Sequence, residues 1–139
     1  MVLPRFVEAA IQGRSIVVHD DGNQERCFAH VADVVDAVVT LTESTEAYGR
    51  VFNIGSDQTI SILDLAKKVR DMVNPQVEIE FQSYSDAYDK DFEDIRRRVP
   101  DLSRIRKSMD YKPKHNLDSI IRDVHKEMLR EKDFDALKS

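Results

Sequence analysis

Apolar and polar residues recur along the first part of the chain with the spacings of one helix and one strand. The segment RFVEAAIQG puts apolar residues at helical spacing and ends at Gly13, which predicts a first helix with a glycine at its carboxyl end. The next segment, SIVVHDDGNQ, has a β-branched run before Asp-Asp-Gly. This order predicts a strand that leads into a turn.

Two segments near the middle of the chain are more apolar than their neighbours. In VADVVDAVVTL, residues 31–41, apolar side chains cover most of a helix circumference and leave Asp33 and Asp36 for a polar face. We therefore expect this helix to be largely buried. The segment GRVFNIGS carries an apolar run between Gly49 and Gly55, which is typical of a strand covered on both faces in a parallel sheet.

Capping residues mark the helices of the second half. Ser61, with Asp64 three residues later, opens the amphipathic segment SILDLAKKVRDMV. Asp101 precedes the short helix LSRIRKSM, and Asn116 precedes a last amphipathic helix. Between them, VEIEF alternates in the way that a half-exposed strand does.

Helices therefore alternate with strands along the whole chain, which predicts an α/β class. The length of 139 residues suits one hydrophobic core and one domain. We expect that domain to span residues 1–130 and the charged end, residues 131–139, to fray.

Composition narrows the classes of function. The 21 Lys and Arg against 26 Asp and Glu give a formal charge of −5, which argues against a nucleic-acid binder or a membrane-surface protein. Cys27 is the single cysteine, so no disulfide within the chain and no zinc site is expected, and a cytoplasmic location is favoured. No apolar run reaches membrane length, and the four glycines stand too far apart for a glycine-rich phosphate loop.

Arg26 is the first candidate for a functional residue. It follows the turn after the first predicted strand and precedes Phe28, whose bulk is suited to anchor the segment in the core. An arginine fixed in this way can present two N–H groups to a phosphate. Composition alone favours the simpler interpretation, a solvated arginine paired with Asp20, Asp21 or Glu25.

Three adjacent arginines, Arg96, Arg97 and Arg98, form the second candidate. In an acidic chain they are suited to neutralise the preceding DKDFED, which is again the simpler interpretation. The alternative is that one of them turns inward to a ligand anion while the others face water. The four histidines are His19, His30, His115 and His125. They are too scattered along the sequence to suggest a metal site or a proton relay.

Four segments, taken in order, resemble the carboxyl-terminal part of the extended short-chain dehydrogenase/reductase family. They are VLPRFVEAAIQG, IVVHDDGNQERCFAHVADVVDAV, GRVFNIGSDQTISILDLAKKV and RRRVPDLSRIRKSMDYKPKHNLDSII. This family contains NAD-dependent nucleotide-sugar epimerases, dehydratases and decarboxylases, and the segments look most like those of UDP-glucose 4-epimerases and UDP-glucuronate decarboxylases. The resemblance covers nearly the whole chain. It implies a small mixed α/β lobe of helices and short strands, without the Rossmann cofactor lobe.

The resemblance also implies a site for a nucleotide-diphosphate sugar, most simply a UDP-sugar. In the family the arginine that matches Arg26 contacts the diphosphate, and the arginine before Pro-Asp, here Arg98, reaches the nucleotide. Four further residues match segments that line the base, namely Val2, Leu3, Val18 and His19. The family usually has an aromatic residue where His19 stands.

The parts of the family that perform catalysis are missing from this sequence. Family members use a Tyr-x-x-x-Lys pair as the base while NAD takes a hydride. The four tyrosines here, Tyr48, Tyr84, Tyr88 and Tyr111, are followed four positions on by residues other than lysine. The resemblance therefore implies that NAD belongs to a cofactor lobe upstream of Met1. We expect this chain to hold no cofactor, no base and no metal, and to be inactive alone.

Two classes of function remain open. The chain is either the substrate-binding portion of such an enzyme, truncated or excised, or a stand-alone binding module or second half of a split enzyme. In the family the RVFNIG strand joins the sheet of the cofactor lobe, so its edge and the helix at residues 31–41 would lie bare here. We expect the chain to cover them by forming a homo-oligomer, most simply a two-fold dimer, or by docking the missing lobe.

Overall fold

The computed structural model describes residues 1–83 and 95–136, with side chains as far as residue 131. The elements in chain order are α1 (Val2–Ile11), β1 (Ile16–His19), β2 (Glu25–Cys27), α2 (Val31–Glu43), a 3-10 turn (Thr45–Ala47), β3 (Thr59–Ser61), α3 (Ile62–Val73), β4 (Ile79–Gln82), α4 (Ser103–Ser108) and α5 (Leu117–Ala136). The mixture of helices and short strands confirms the predicted α/β class.

The main core lies between three helices and a small parallel sheet. Strands β1 and β4 pair in parallel, with Ile16 opposite Ile79, and helices α1, α3 and α5 pack together beside them. The fully buried side chains of this core come from both layers, namely Val7, Ile16, Val18, Leu65, Val69 and Ile121. The side-chain amide of Asn74 donates to the Ala10 carbonyl at 3.1 Å and ties the end of α3 to α1.

The predicted helix boundaries have local causes. Ser61 Oγ accepts a hydrogen bond from the Asp64 amide at 3.0 Å, and Asn116 Oδ1 accepts one from the Ser119 amide at 2.9 Å. Each side-chain oxygen satisfies an amide that the first turn of a helix leaves without a partner. The structure thus confirms both caps, while Asp101 Oδ1 binds the amide of Ser103, where α4 begins.

A second, smaller core joins α2 to α4. Ala37 and Leu41 of α2 pack with Phe52 and Ile54 and with buried residues of the α4 region, Leu102, Ile105 and Tyr111. The Tyr111 hydroxyl donates to the Gly55 carbonyl at 2.7 Å and accepts from the Gly55 amide at 3.2 Å. Because burial raises the pKa of this phenol, it stays protonated and able to donate.

The prediction that helix α2 is largely buried is wrong. Its buried residues are Ala37 and Asp33, and Asp33 was expected on the polar face. Four of its valines are exposed, namely Val31, Val35, Val38 and Val39. An apolar circumference shows which side chains gain from burial. It does not show whether the chain supplies anything to cover them, and here only one side of α2 meets the second core.

The prediction of a strand at GRVFNIGS is also wrong. Residues 50–54 have no regular secondary structure, and Val51 is 76% exposed. In the described ranges the strand pairs are β1 with β4 and β2 with β3, so no neighbour completes a ladder for this segment. Side chains hold it instead, because Arg104 Nη1 donates to the Val51 carbonyl at 2.6 Å and Asn53 Nδ2 donates to the Asp101 carbonyl at 3.2 Å.

Helix α5 continues beyond the predicted end of the domain. It runs to Ala136, so residues 131–136 have helical backbone, and the fraying of residues 131–139 stays a prediction. The polar segment before the three arginines lies mostly at residues 84–94, outside the described residues. In the part of the chain that the structure describes, no helix is long and apolar enough to cross a bilayer.

Candidate functional site

Arg26 lies on the middle strand of a three-stranded arrangement that the sequence did not predict. Strand β2 pairs on one side with β3, antiparallel, with Arg26 opposite Ile60. On its other side β2 meets residues 96–98 in parallel, because the Glu25 amide donates to the Arg96 carbonyl at 2.7 Å and the Arg98 amide donates to the Glu25 carbonyl at 3.3 Å. The two candidate arginine segments are therefore neighbours in space.

The register of this pairing sorts the arginines onto two faces. Glu25 stands opposite Arg97, and on that face Arg97 Nε lies 3.0 Å from Glu25 Oε2. Since successive side chains alternate between the faces of paired strands, Arg26 falls on the opposite face, as do both neighbours of Arg97, Arg96 and Arg98. Ile60 also stands on that face and packs against the main core.

Two backbone carbonyl groups hold the guanidinium of Arg26 in place. Its Nη1 donates to the carbonyls of Glu25 and Ile95, both at 2.8 Å, so the guanidinium ties the segment 95–98 to β2. Phe28, two residues further on, is partly buried against the main core, as predicted for an anchor. The arginine is thus fixed in position by hydrogen bonds and packing, which is what recognition of a small anion requires.

Arg96 and Arg97 each lie near a carboxylate of their own. Arg97 pairs with Glu25 as described, and the positive charge of Arg96 acts on Asp21. The pKa of Asp21 lies below its ordinary value, first because its carboxylate accepts a hydrogen bond from the Asn23 amide at 2.9 Å and in smaller part because of Arg96. Arg96 and Arg97 thus act on Asp21 and Glu25, whereas DKDFED, which the simpler interpretation has the triplet neutralise, lies outside the described residues.

A tight turn after β1 positions the start of this region. Gly22 has a φ of +68°, and a Cβ atom built on it would meet Val18 Cγ1 at 2.7 Å and Leu63 Cβ at 2.9 Å. Its carbonyl accepts from the Leu63 amide at 3.0 Å. The turn therefore packs directly on the start of α3, and only glycine combines this backbone with this closeness.

Of the four residues predicted to line a base, two are buried in the main core and two are half-buried. Leu3 and Val18 are buried in the main core. Their side chains can support a neighbouring surface but expose little area for direct contact with a ligand. Val2 and His19 are half-buried at its edge. A role in ligand binding stays a prediction for all four.

A cluster that sequence reasoning missed joins the start of α2 to α5. The rings of His30 and His115 stack, with their centroids 4.1 Å apart and their planes at 19°. His30 Nδ1 accepts from the Ala32 amide at 3.1 Å, so Nε2 carries the ring proton and donates to Asp123 Oδ2 at 3.1 Å. These two histidines are 85 positions apart in the sequence, and the fold brings their rings into contact.

Asp33 completes this cluster from inside the protein. It is 4% exposed, and its two oxygens accept from the ring Nδ1 of His115 at 2.8 Å and from the His115 amide at 3.1 Å. Burial raises the pKa of this carboxyl, but the hydrogen bonds from His115 and from the Lys114 backbone outweigh it, and the net direction is downward. Among the described residues, no group of side chains that could hold a metal ion is found.

Comparisons with known sequences place this arrangement among sugar-nucleotide enzymes. Residues 1–124 match the sequence profile of the family described as GDP-mannose 4,6 dehydratase. The chain is 32% identical over 112 residues to a UDP-N-acetyl-alpha-D-glucosaminuronate decarboxylase from Bacillus cytotoxicus, covering 81% of this chain and 35% of the relative. It is 30% identical over 116 residues to UDP-glucuronic acid decarboxylase 3 from Arabidopsis thaliana, covering 84% and 32%.

Solved structures share the fold. An epimerase from Methanothermobacter thermautotrophicus superposes with a TM-score of 0.86 at 18% identity, covering 96% of this chain and 38% of that one. A UDP-glucose 4-epimerase from Thermotoga maritima, solved with UDP-glucose, gives a TM-score of 0.79 at 23% identity, covering 95% and 40%. The chain spans about a third of the length of the curated relatives it matches.

Proposed function

The chain belongs to the NAD-dependent epimerase/dehydratase family, and we propose that it forms the part of such an enzyme that binds a nucleotide-diphosphate sugar. The observation that carries this proposal is the pairing of β2 with residues 96–98, which brings Arg26 and Arg98 onto neighbouring backbone segments. Two arginines on neighbouring segments can supply the charge and the forked hydrogen bonds that the two phosphates of a diphosphate accept. An acidic chain with a net charge of −5 gains anion affinity only from such a local arrangement.

A UDP-sugar is the proposed ligand class. The relatives include decarboxylases named for UDP-sugars, and one structural neighbour was solved with UDP-glucose. In this proposal the base lies near Val2 and His19, which are half-buried, with Leu3 and Val18 supporting that surface from the core. The sugar itself is not part of the proposal, because discrimination among sugars depends on contacts at the reacting end of the ligand.

We propose further that this chain contributes binding and no chemistry of its own. Its four glycines lie at least six positions apart, so no two of them share a phosphate loop for NAD. Tyr111, the tyrosine at the second core, is buried and bonded to Gly55, which suits a structural role. NAD would then be held by another part of a complete enzyme, and a cytoplasmic location is proposed with it.

Alanine variants of the arginines test the binding proposal. We expect Arg26→Ala and Arg98→Ala each to weaken binding of UDP-glucose by about 1.5–3 kcal/mol, because each loses charge-assisted hydrogen bonds to the diphosphate. Arg97→Ala is the matched control, since Arg97 faces the other way and pairs with Glu25. Arg96→Ala should also have a small effect, because the charge of Arg96 acts on Asp21. Isothermal titration measures all four.

Two outcomes of this series would contradict the proposal. Equal losses at Arg96, Arg97 and Arg98 would indicate general electrostatic attraction without a formed site. Normal binding by Arg26→Ala would remove the residue on which the proposal depends. Arg26→Lys separates folding from binding, because a lysine keeps the charge but cannot make the fork of parallel hydrogen bonds. Circular dichroism of each variant checks that the overall secondary structure is retained.

The alternative function is that of a partner-dependent or stand-alone binding module. In this alternative a second polypeptide, with the glycine loop and the Tyr-x-x-x-Lys pair, would complete a split enzyme. Adding a separately expressed cofactor lobe of a family enzyme, with NAD, distinguishes the two. Turnover that appears only in the mixture supports the split enzyme, whereas turnover by this chain alone would contradict both.

A further inference from the structure

Gln24 is a buried polar residue just before β2. The buried polar or charged residues of the described chain are Gln24 and Asp33, which are 7% and 4% exposed. Asp33 has a structural partner in His115. The backbone carbonyl of Gln24 accepts from the Ile62 amide at 3.0 Å, but its side-chain carboxamide makes no hydrogen bond in the part of the chain that the structure describes. Such a group calls for an explanation, because nearly all buried polar groups in folded proteins are hydrogen-bonded.

The register of β2 puts Gln24 on the same face as Arg26. The bond from the Ile62 amide to the Gln24 carbonyl extends the ladder between β2 and β3 by one pair. Side chains two positions apart on a paired strand share a face, with a rise of about 7 Å between them. Ile60, opposite Arg26, and Ile62 are both partly buried against the main core. The carboxamide therefore belongs to a sheltered face that carries a fixed positive charge two positions further on.

The energetics of this position point to a ligand. Burying a carboxamide without a hydrogen bond destabilises a fold, whereas a methionine of similar length would fill the same space without that penalty. The side-chain atoms that are both enclosed and unbonded in the described chain do not include those of Gln24, so its amide keeps a small opening to the surface. A polar ligand can therefore reach it. Groups that weaken a fold in this way are typical of binding sites.

We propose that the carboxamide of Gln24 donates a hydrogen bond to the diphosphate that Arg26 binds. This inference rests on the proposed function and adds a residue to the same site. Nη1 of Arg26 already donates to the carbonyls of Glu25 and Ile95, so the guanidinium directs fewer of its five N–H groups at an anion than an unattached arginine would. A neutral donor on the same face makes up part of that difference, and phosphate oxygens accept several hydrogen bonds at once.

Gln24→Met separates a binding role from a structural one. We expect thermal unfolding of the unliganded variant at the same temperature as the wild-type chain or a higher one, because the change removes an unbonded amide. Its affinity for UDP should fall about 10- to 100-fold, the effect of one hydrogen bond to a charged acceptor. Gln58→Met is the matched control, since Gln58 is exposed before β3, and it should change neither property. Isothermal titration measures the affinities.

Gln24→Glu and a second ligand test the direction and the target of the hydrogen bond. Glutamate has nearly the same shape but cannot donate when ionised, and its charge repels a phosphate. It should therefore weaken UDP binding at least as much as Gln24→Met does. Both variants should weaken binding of pyrophosphate by a similar factor. A loss seen with UDP but not with pyrophosphate would place Gln24 at the nucleoside and overturn the inference.

The remaining outcomes distinguish this inference from the proposal on which it rests. Wild-type affinity for UDP in Gln24→Met, with binding lost in Arg26→Ala, would overturn the role of Gln24 and leave the proposed function intact. A lower unfolding temperature of Gln24→Met with unchanged affinity for UDP would show that Gln24 serves the fold, and would also overturn the inference. A wild-type chain that binds neither UDP nor pyrophosphate would contradict the proposed function and this inference together.

Discussion

Gly22→Ala is expected to lower the free energy of unfolding by about 2–5 kcal/mol. Two separate costs add at this position. A residue with a side chain is strained at a φ of +68°, and its Cβ would lie 2.7 Å from Val18 Cγ1 and 2.9 Å from Leu63 Cβ. Val18 is fully buried and Leu63 lies in the first turn of α3, so neither can move aside without disturbing the main core. Chemical denaturation measures the loss.

Gly13→Ala separates these two costs. Gly13 has almost the same φ, +67°, but an added Cβ would meet nothing within 4 Å. The free energy of unfolding lost in Gly13→Ala should therefore reflect backbone strain alone, about 1–2 kcal/mol. Equal losses at the two glycines would show that the turn after β1 relaxes freely and that Gly22 is not held against α3.

Asp33→Ala is expected to lower the free energy of unfolding by about 2–4 kcal/mol, because it leaves the ring and the amide of His115 without their acceptor in a buried place. Asp36→Ala is the matched control one turn along α2. Its carboxylate pairs with Lys114 at the surface, where such pairs add little. Thermal unfolding of the two variants should differ clearly, and similar losses in both would contradict a specific role for the buried carboxylate.

The contribution of Asp33 should also depend on pH in a defined direction. Its pKa in the folded chain lies below the ordinary value of 3.8. A lowered carboxyl pKa stabilises the fold at pH values above the unfolded pKa, and the contribution is lost as pH falls through the folded pKa. The difference in stability between the wild-type chain and Asp33→Asn should therefore be full above about pH 4 and shrink on further acidification. A stability difference that grows toward acid pH would contradict a lowered pKa of Asp33 in the folded chain.

Local chemistry explains which parts of the fold the sequence predicts. Ser61 and Asn116 cap their helices through hydrogen bonds to amides three residues away, so the information lies in a few neighbouring letters. The prediction of a strand at Gly49–Gly55 is wrong because a strand depends on residues far away in the sequence. A strand exists only with a partner, and the apolar run predicted burial without showing that any described strand lies beside it.

The candidate site also combines features that the sequence predicts with features that depend on distant contacts. Arg26 and the arginine triplet were candidates from the sequence and the resemblance selected Arg98, but their proximity depends on a pairing between segments about 70 positions apart, which periodicity cannot reveal. The contact of His30 with His115 is equally distant in sequence. One local signal was available for it, because Asp33, like Asp36, is a charged residue within a strongly apolar helix segment. Such a residue is either at the surface or buried with hydrogen-bond partners, and the second case applies here.

A nuclear magnetic resonance titration that compares UDP with uridine tests the diphosphate site most directly. The proposed binding depends on the diphosphate, so UDP should shift the amide signals of Glu25, Arg26 and Arg98 in a saturable way, while uridine at the same concentration should leave them in place. The Arg97→Ala variant should respond as the wild-type chain does, and Arg26→Ala should not. Equal shifts with uridine and UDP, or shifts with UDP that avoid β2 and residues 96–98, would contradict a site built on these two arginines.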